Sequence, residues 1–190
     1  MLLVISDACV LIDIECGELT SAMFSLSYQF AVPDTLFAEE LEERHAHLPQ
    51  LGLISKTMSG DLVAEAYSLH KKYVRPSVND MLALILAKHE GCQLLTGDKA
   101  LRDAAKDLNV EVHGTIWLVK QMLEDKKITV EVARVAFQRM RDSGSRLPWS
   151  EVEKLYSTPM SFRFSPNEKM SFPPARSYRR SQIYQAGIQY

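Results

Sequence analysis

Five short apolar runs, alternating with stretches of helical spacing, constrain this chain more tightly than any other feature. The first, "LLVIS" at residues 2–6, is continuously apolar, as suits a strand buried on both faces of a parallel sheet. "ACVLIDIECGELTSAMFSL" then turns helical in spacing. "QFAVP" is a second strand closed by Pro33, and "DTLFAEELEERHAHL" is a helix with Asp34 at its N-cap. "LGLIS" is a weaker third strand. Ser59 or Asp61 opens the helix "DLVAEAYSLHKKY", which must stop before Pro76 because the residue preceding a proline avoids the α region. "SVNDMLALILAKHEG" is the most regular helix, capped by Ser77 and stopped by Gly91. "CQLLT" and "VEVHG" are the fourth and fifth strands, with the short helix "DKALRDAAKDL" between them. This alternation predicts an α/β fold with a mainly parallel central sheet. Three more helical segments follow, "TIWLVKQMLEDKK", "TVEVARVAFQRMRDSG" and "PWSEVEKLYS", with turns at Lys127-Ile128 and Gly144.

A chain of 190 residues fits one domain with appendages. The pattern divides it into an α/β domain over 1–125, a C-terminal helical extension over 126–158 and a tail over 159–190. The tail holds four of the eight prolines, scattered aromatics and no periodicity, and is expected to be disordered. It carries five Lys/Arg against one Glu, a net of +4, which leaves −6 for residues 1–158. An acidic body repels phosphate unless its carboxylates hold metal ions that reverse the local sign. Cys9, Cys16 and Cys92 have no metal-type spacing and fit a reduced cytoplasmic protein. "MLLVISD" has no basic n-region, and no run reaches membrane-spanning length, so no membrane association is expected.

In an open α/β sheet, ligands bind beyond the carboxyl ends of the strands. Asp7 directly follows the first predicted strand and Asp98 lies two residues past Thr96 at the end of the fourth. Asp80 falls in the first turn of the helix after Pro76, and Glu39 and Glu40 lie about two turns into the helix after the second strand. Each has a plain structural role open to it. Asp7 and Asp98 are good N-caps, Asp80 stands in capping-box position to Ser77, and "EELEE" reads as a solvated helix face. Together they put four acids near one edge of one sheet, where like charges raise each other's pKa values unless a cation neutralises them. Oxygen ligands without a Cys/His cluster suit Mg²⁺ or Mn²⁺. Ions so held favour in-line hydrolysis of phosphodiesters.

Along "VISDACVLI", "VPDTLFAEEL", "SVNDMLALILAKHEGCQLLTGDKALRDAA" and "VEVHGTIWLV" the chain resembles the PIN-domain ribonucleases, particularly their toxin-like VapC branch. "MRDSGSRLPWSEVEKL" is similar to the helical extension of one subgroup. The resemblance implies a three-layer α/β/α PIN-like fold and Mg²⁺- or Mn²⁺-dependent endoribonuclease activity. It implies Asp7, Glu40, Asp80 and Asp98 as both catalytic and metal-binding acids, Asp7 and Asp98 holding the ion most directly. Glu39 is the alternative to Glu40, since one helical step turns a side chain by about 100°. An RNA substrate, a homodimer and an antitoxin covering the acidic groove are implied as partners. The chain departs from the family at Ala8-Cys9, where hydroxyl or amide side chains are common.

That departure keeps open a second class of function, a PIN-like RNA- or protein-binding module with a weakened or inactive metal site. A phosphatase or receiver-type protein with an Asp nucleophile ranks lower, since no D-x-D follows Asp7. His45 and His47, two apart, would diverge on a helix and make a poor metal pair. Lys99, Arg102 and Lys106 read as a solvated basic face, Trp117 and Trp149 as packing residues, and Ser77 and Thr96 as capping and turn hydroxyls. No Gly-rich phosphate loop or G-x-S-x-G elbow occurs.

Overall fold

Strands β1 (Leu2–Ser6), β2 (Tyr28–Pro33), β3 (Ile54–Lys56), β4 (Gln93–Leu95) and β5 (Val112–His113) form one all-parallel sheet in a computed structural model that describes residues 2–157. The spatial order is β3-β2-β1-β4-β5, so the predicted strands are all present and β1 lies at the centre. Val4 pairs with Phe30 on one side and Gln93 on the other, and Val4, Ile5, Phe30 and Leu94 are buried.

Helix α1 (Ala8–Cys16), α2 (Thr20–Phe24), α9 (Thr115–Glu124) and α10 (Val130–Asp142) pack together in one layer. In the other, α7 (Val78–Glu90) lies across β1, β2 and β4, with α6 (Gly60–His70) and α8 (Lys99–Asp107) beside it. The result is the expected α/β/α sandwich. Because α7 is covered by the sheet and by both neighbours, every residue from Met81 to Ala87 is buried. Its ends are set locally. Ser77 forms a capping box with Asp80, and Gly91, at φ 62°, closes the helix by donating to the Ala87 and Lys88 carbonyls.

Two predicted helices are broken. The stretch from Ala8 stops at Cys16, and Glu18, at φ 57°, turns the chain before α2. The Glu18 and Leu19 N–H groups close α1 on the Glu15 and Ile14 carbonyls, and Gly17 sits against α10. A Cβ there would come within 2.5 Å of Met140 Cε and 3.3 Å of Ala136 Cβ. Gly17→Val is therefore expected to destabilise the protein by about 1–3 kcal/mol through overpacking, read as a lower urea midpoint with an unchanged m-value. The helix after β2 starts as α3 (Asp34–Leu36), widens into a π turn at Phe37–Leu41, and ends as α4 (Glu42–His45). A separate turn, α5 (Leu48–Leu51), carries the end of the predicted segment.

The helical extension shares the core. Ala133, Ala136, Phe137 and Met140 of α10 and Val152 of α11 (Trp149–Ser157) belong to the same buried cluster as Ile5 and Ile14. Buried Asp13 reinforces this join by accepting hydrogen bonds from Thr115 Oγ1 at 3.0 Å and Ser145 Oγ at 2.6 Å. Cys9, Cys16 and Cys92 form no disulfide. Among the described residues, no helix is long and apolar enough to cross a membrane. The basic, aromatic tail read at 159–190 lies outside the described residues.

Candidate active site

The chain winds outward from β1 through β2 to β3, then returns to lay β4 along the other side of β1. β1 and β4 therefore flank the point where the winding reverses, the usual ligand crevice of such sheets. Asp7 emerges from β1 and Asp98 from just past β4, and the Asp7 N–H donates to the Leu95 carbonyl at 2.9 Å. The two acids thus leave neighbouring strands at the same sheet edge.

Asp7 does cap α1, since its Oδ1 accepts the Val10 N–H at 2.9 Å. Capping uses only one oxygen. The residue is 1% exposed, and its Oδ2 is buried with no partner in hydrogen-bond geometry, although the Thr96 hydroxyl lies close enough to favour the carboxylate. Burial pushes the carboxyl pKa up to about 7; the Thr96 hydroxyl and Val10 amide pull it down, while the charges of Asp80 and Asp13 add to the rise. An orphaned buried oxygen of this kind destabilises a fold and calls for an explanation such as a bound ion.

Asp98 caps α8, its Oδ1 accepting the Leu101 N–H at 2.7 Å while its own N–H donates to Thr96 Oγ1 at 3.0 Å. Arg102 is more than a solvated basic residue, because its Nη1 donates to the Thr96 carbonyl at 3.0 Å and so braces this turn. Gly114 makes room for it; a Cβ there would lie 3.1 Å from Arg102 Nη1 and 3.3 Å from the Thr96 oxygen.

Half-buried Asp80 is held by the capping box, accepting the Ser77 N–H at 2.8 Å on Oδ2 and donating its own N–H to Ser77 Oγ at 3.0 Å. Burial raises its pKa, the Ser77 bonds lower it, and the Asp98 charge raises it. Glu40 is an exposed residue, and desolvation raises its carboxyl pKa, opposed by the Asn79 amide and reinforced by Asp80 and Glu39. Asp80 is the common neighbour, whose charge is felt by both Asp7 and Glu40 and which itself feels Asp98. The structure thus brings the four predicted acids into one electrostatic neighbourhood.

Among the described residues, no three His, Cys, Asp or Glu side chains already converge as an ion cage. The donor set nevertheless fits a hard divalent cation, because it is all oxygen and one of those oxygens is buried and unsatisfied. Ala8 and Cys9 carry no hydroxyl, and the hydroxyl that lowers the Asp7 pKa is that of Thr96.

Asn79 was passed over in the sequence. It donates from Nδ2 to Glu39 Oε2 and to Glu40 Oε1, both at 2.9 Å. Its one sequence signal is its place beside Asp80 at the start of α7. Asp13 was also passed over, although an acid inside an apolar run signals a buried polar contact. His45 and His47 do not diverge, because α4 ends at His45. His45 Nδ1 meets Glu15 Oε2, and His47 Nε2 lies 3.0 Å from Glu15 Oε1. Trp117 packs as expected, stacked on His113 at 4.0 Å.

A three-layer α/β/α protein with acids gathered at its switch point is the class that fold and site define. The family model DUF3368, a PIN domain, matches residues 3–158. The chain belongs to the PIN-domain family, whose members are generally nucleases and typically use divalent metals, hydrolases in broad class. No curated protein and no solved structure matches it.

Proposed function

We propose that this protein is a Mg²⁺- or Mn²⁺-dependent endoribonuclease acting as the toxin of a toxin–antitoxin pair. The observation that carries the reading is the unpartnered Oδ2 of Asp7, buried at the switch point within electrostatic reach of Asp80. Asp7 and Asp98 would hold the ion most directly, with Glu40 and Asp80 binding it or orienting its waters, as the family resemblance implies. When bound, such an ion acidifies an attacking water and offsets charge building on the phosphodiester. Asp7 must ionise to serve as a ligand, so loading the site near neutrality releases its proton. The Ser77–Asp80 capping box and the bond from the Asp98 N–H to Thr96 hold two acidic residues in place before RNA arrives. The toxin assignment, with a homodimer and an antitoxin over the acidic groove in the cytoplasm, rests on the resemblance of the sequence motifs to the VapC branch.

Purified full-length protein should cleave RNA with Mn²⁺ or Mg²⁺, stop on addition of chelator, and resume with excess metal. No cleavage under any of these conditions contradicts the reading. Ala8-Cys9 and the lack of a ready ion cage among the described residues favour a second reading, a PIN-like RNA- or protein-binding module. Calorimetry separates the two, since stoichiometric Mn²⁺ binding fits the nuclease and its absence fits the module.

A further inference from the structure

Glu39 and Glu40 are consecutive, and on an ordinary α-helix consecutive side chains diverge by about 100°. Here they occupy the π turn Phe37–Leu41, where the Glu42 N–H bonds the Phe37 carbonyl five residues back. Such single π turns are rare and recur at functional sites. This one lets Leu36 and Leu41, five apart, both enter the core, with relative exposures of 1% and 0%. The two glutamates are left together on the outer side, where both reach Asn79 on α7.

An amide nitrogen carries two protons, and Asn79 donates to one oxygen of each glutamate at 2.9 Å. With two carboxylates as partners, the amide must present its nitrogen. The contact draws together two like charges that repel each other. It also leaves Oε1 of Glu39 and Oε2 of Glu40 outside the clamp, beside the residue that precedes Asp80. A simple tie between the two helices needs only one of these bonds.

We infer that Asn79 is a positioning residue that fixes Glu39 and Glu40 as a pair, so that both carboxylates serve the metal ion. The inference rests on the metal-centre reading above. The choice between Glu39 and Glu40 is thereby dissolved, because the π turn and the amide bring both.

The test is Mn²⁺ calorimetry on the full chain, with metal-free melting curves recorded for every variant. Asn79→Ala should weaken Mn²⁺ binding by about 10–100-fold, the usual loss for an outer partner of a ligand, and Asn79→Gln should recover part of it. In a Glu39→Gln/Glu40→Gln background the same Asn79→Ala change should lose its effect. A lowered melting temperature with wild-type affinity overturns the inference, making Asn79 a tie between helices. An equal loss of affinity in the double-glutamine background overturns it too. If wild type binds no Mn²⁺, the metal-centre reading fails and takes the inference with it; if wild type and Asn79→Ala bind alike, the inference alone fails.

Discussion

Asp7→Asn should slow RNA cleavage by at least about a hundredfold while the fold survives, a larger loss than an outer-shell partner usually causes. Asparagine is as good an N-cap as aspartate. Its carbonyl oxygen can go on accepting the Val10 N–H, which Asp7 Oδ1 accepts at 2.9 Å. The change falls on the other atom, where an uncharged amide nitrogen replaces the buried, unpartnered Oδ2. A nitrogen that carries two protons is no ligand for a hard cation. Asp98→Asn should act in the same direction, because Asp98 likewise caps its helix with one oxygen, bonded to the Leu101 N–H at 2.7 Å. Cleavage rates at matched Mn²⁺, alongside circular-dichroism melting curves, check the prediction. A variant that melts like wild type and still cuts at the wild-type rate contradicts it.

The second large effect is on stability, in protein freed of metal. Asp7 has a folded-state pKa of about 7 against an ordinary 3.8, so the folded state holds its proton more tightly than the unfolded chain does. A carboxyl shifted upward contributes stability that is complete below the unfolded value and is lost as pH rises through the folded one. The window therefore runs from pH 3.8 to about 7, and the shift corresponds to roughly 4 kcal/mol at 1.36 kcal/mol per unit. The raised pKa values of Glu40 and Asp80 act in the same sense. Urea unfolding in chelator at pH 4 and pH 8 should show wild type losing about that much more stability than Asp7→Asn across the interval. Parallel losses in the two proteins would contradict the burial of an ionisable group at residue 7.

The layout of the sheet was legible in the sequence because strands buried on both faces are written as continuous apolar runs, as in "LLVIS" and "QFAVP". The bounds of α7 were legible because Ser77 and Gly91 act within one turn of the helix they close. What escaped depends on distant partners. The close approach of Gly17 to Met140 and Ala136 of α10 joins residues more than a hundred apart along the chain. Asn79 acquires its role from Glu39 and Glu40, which sit on another helix. The meeting of His45 and His47 on Glu15 depends on α4 ending at His45, which no local signal announces.

The acids were a subtler case. Position pointed to Asp7, Asp80, Asp98 and the pair Glu39 and Glu40, and the family resemblance chose Glu40 from that pair, but capping and metal binding looked like competing roles. In the structure Asp7 caps with one oxygen and buries the other without a partner. The two roles therefore coexist on one side chain. No pattern of residue types reports which of two oxygens is engaged.

Anomalous diffraction from a crystal of the full chain soaked in Mn²⁺ tests the central claim most directly. A peak within coordination distance of Asp7 Oδ2, shared with Asp98 or Asp80, is the predicted result. A fully loaded crystal with no peak there, and Oδ2 of Asp7 still unpartnered, would contradict the account.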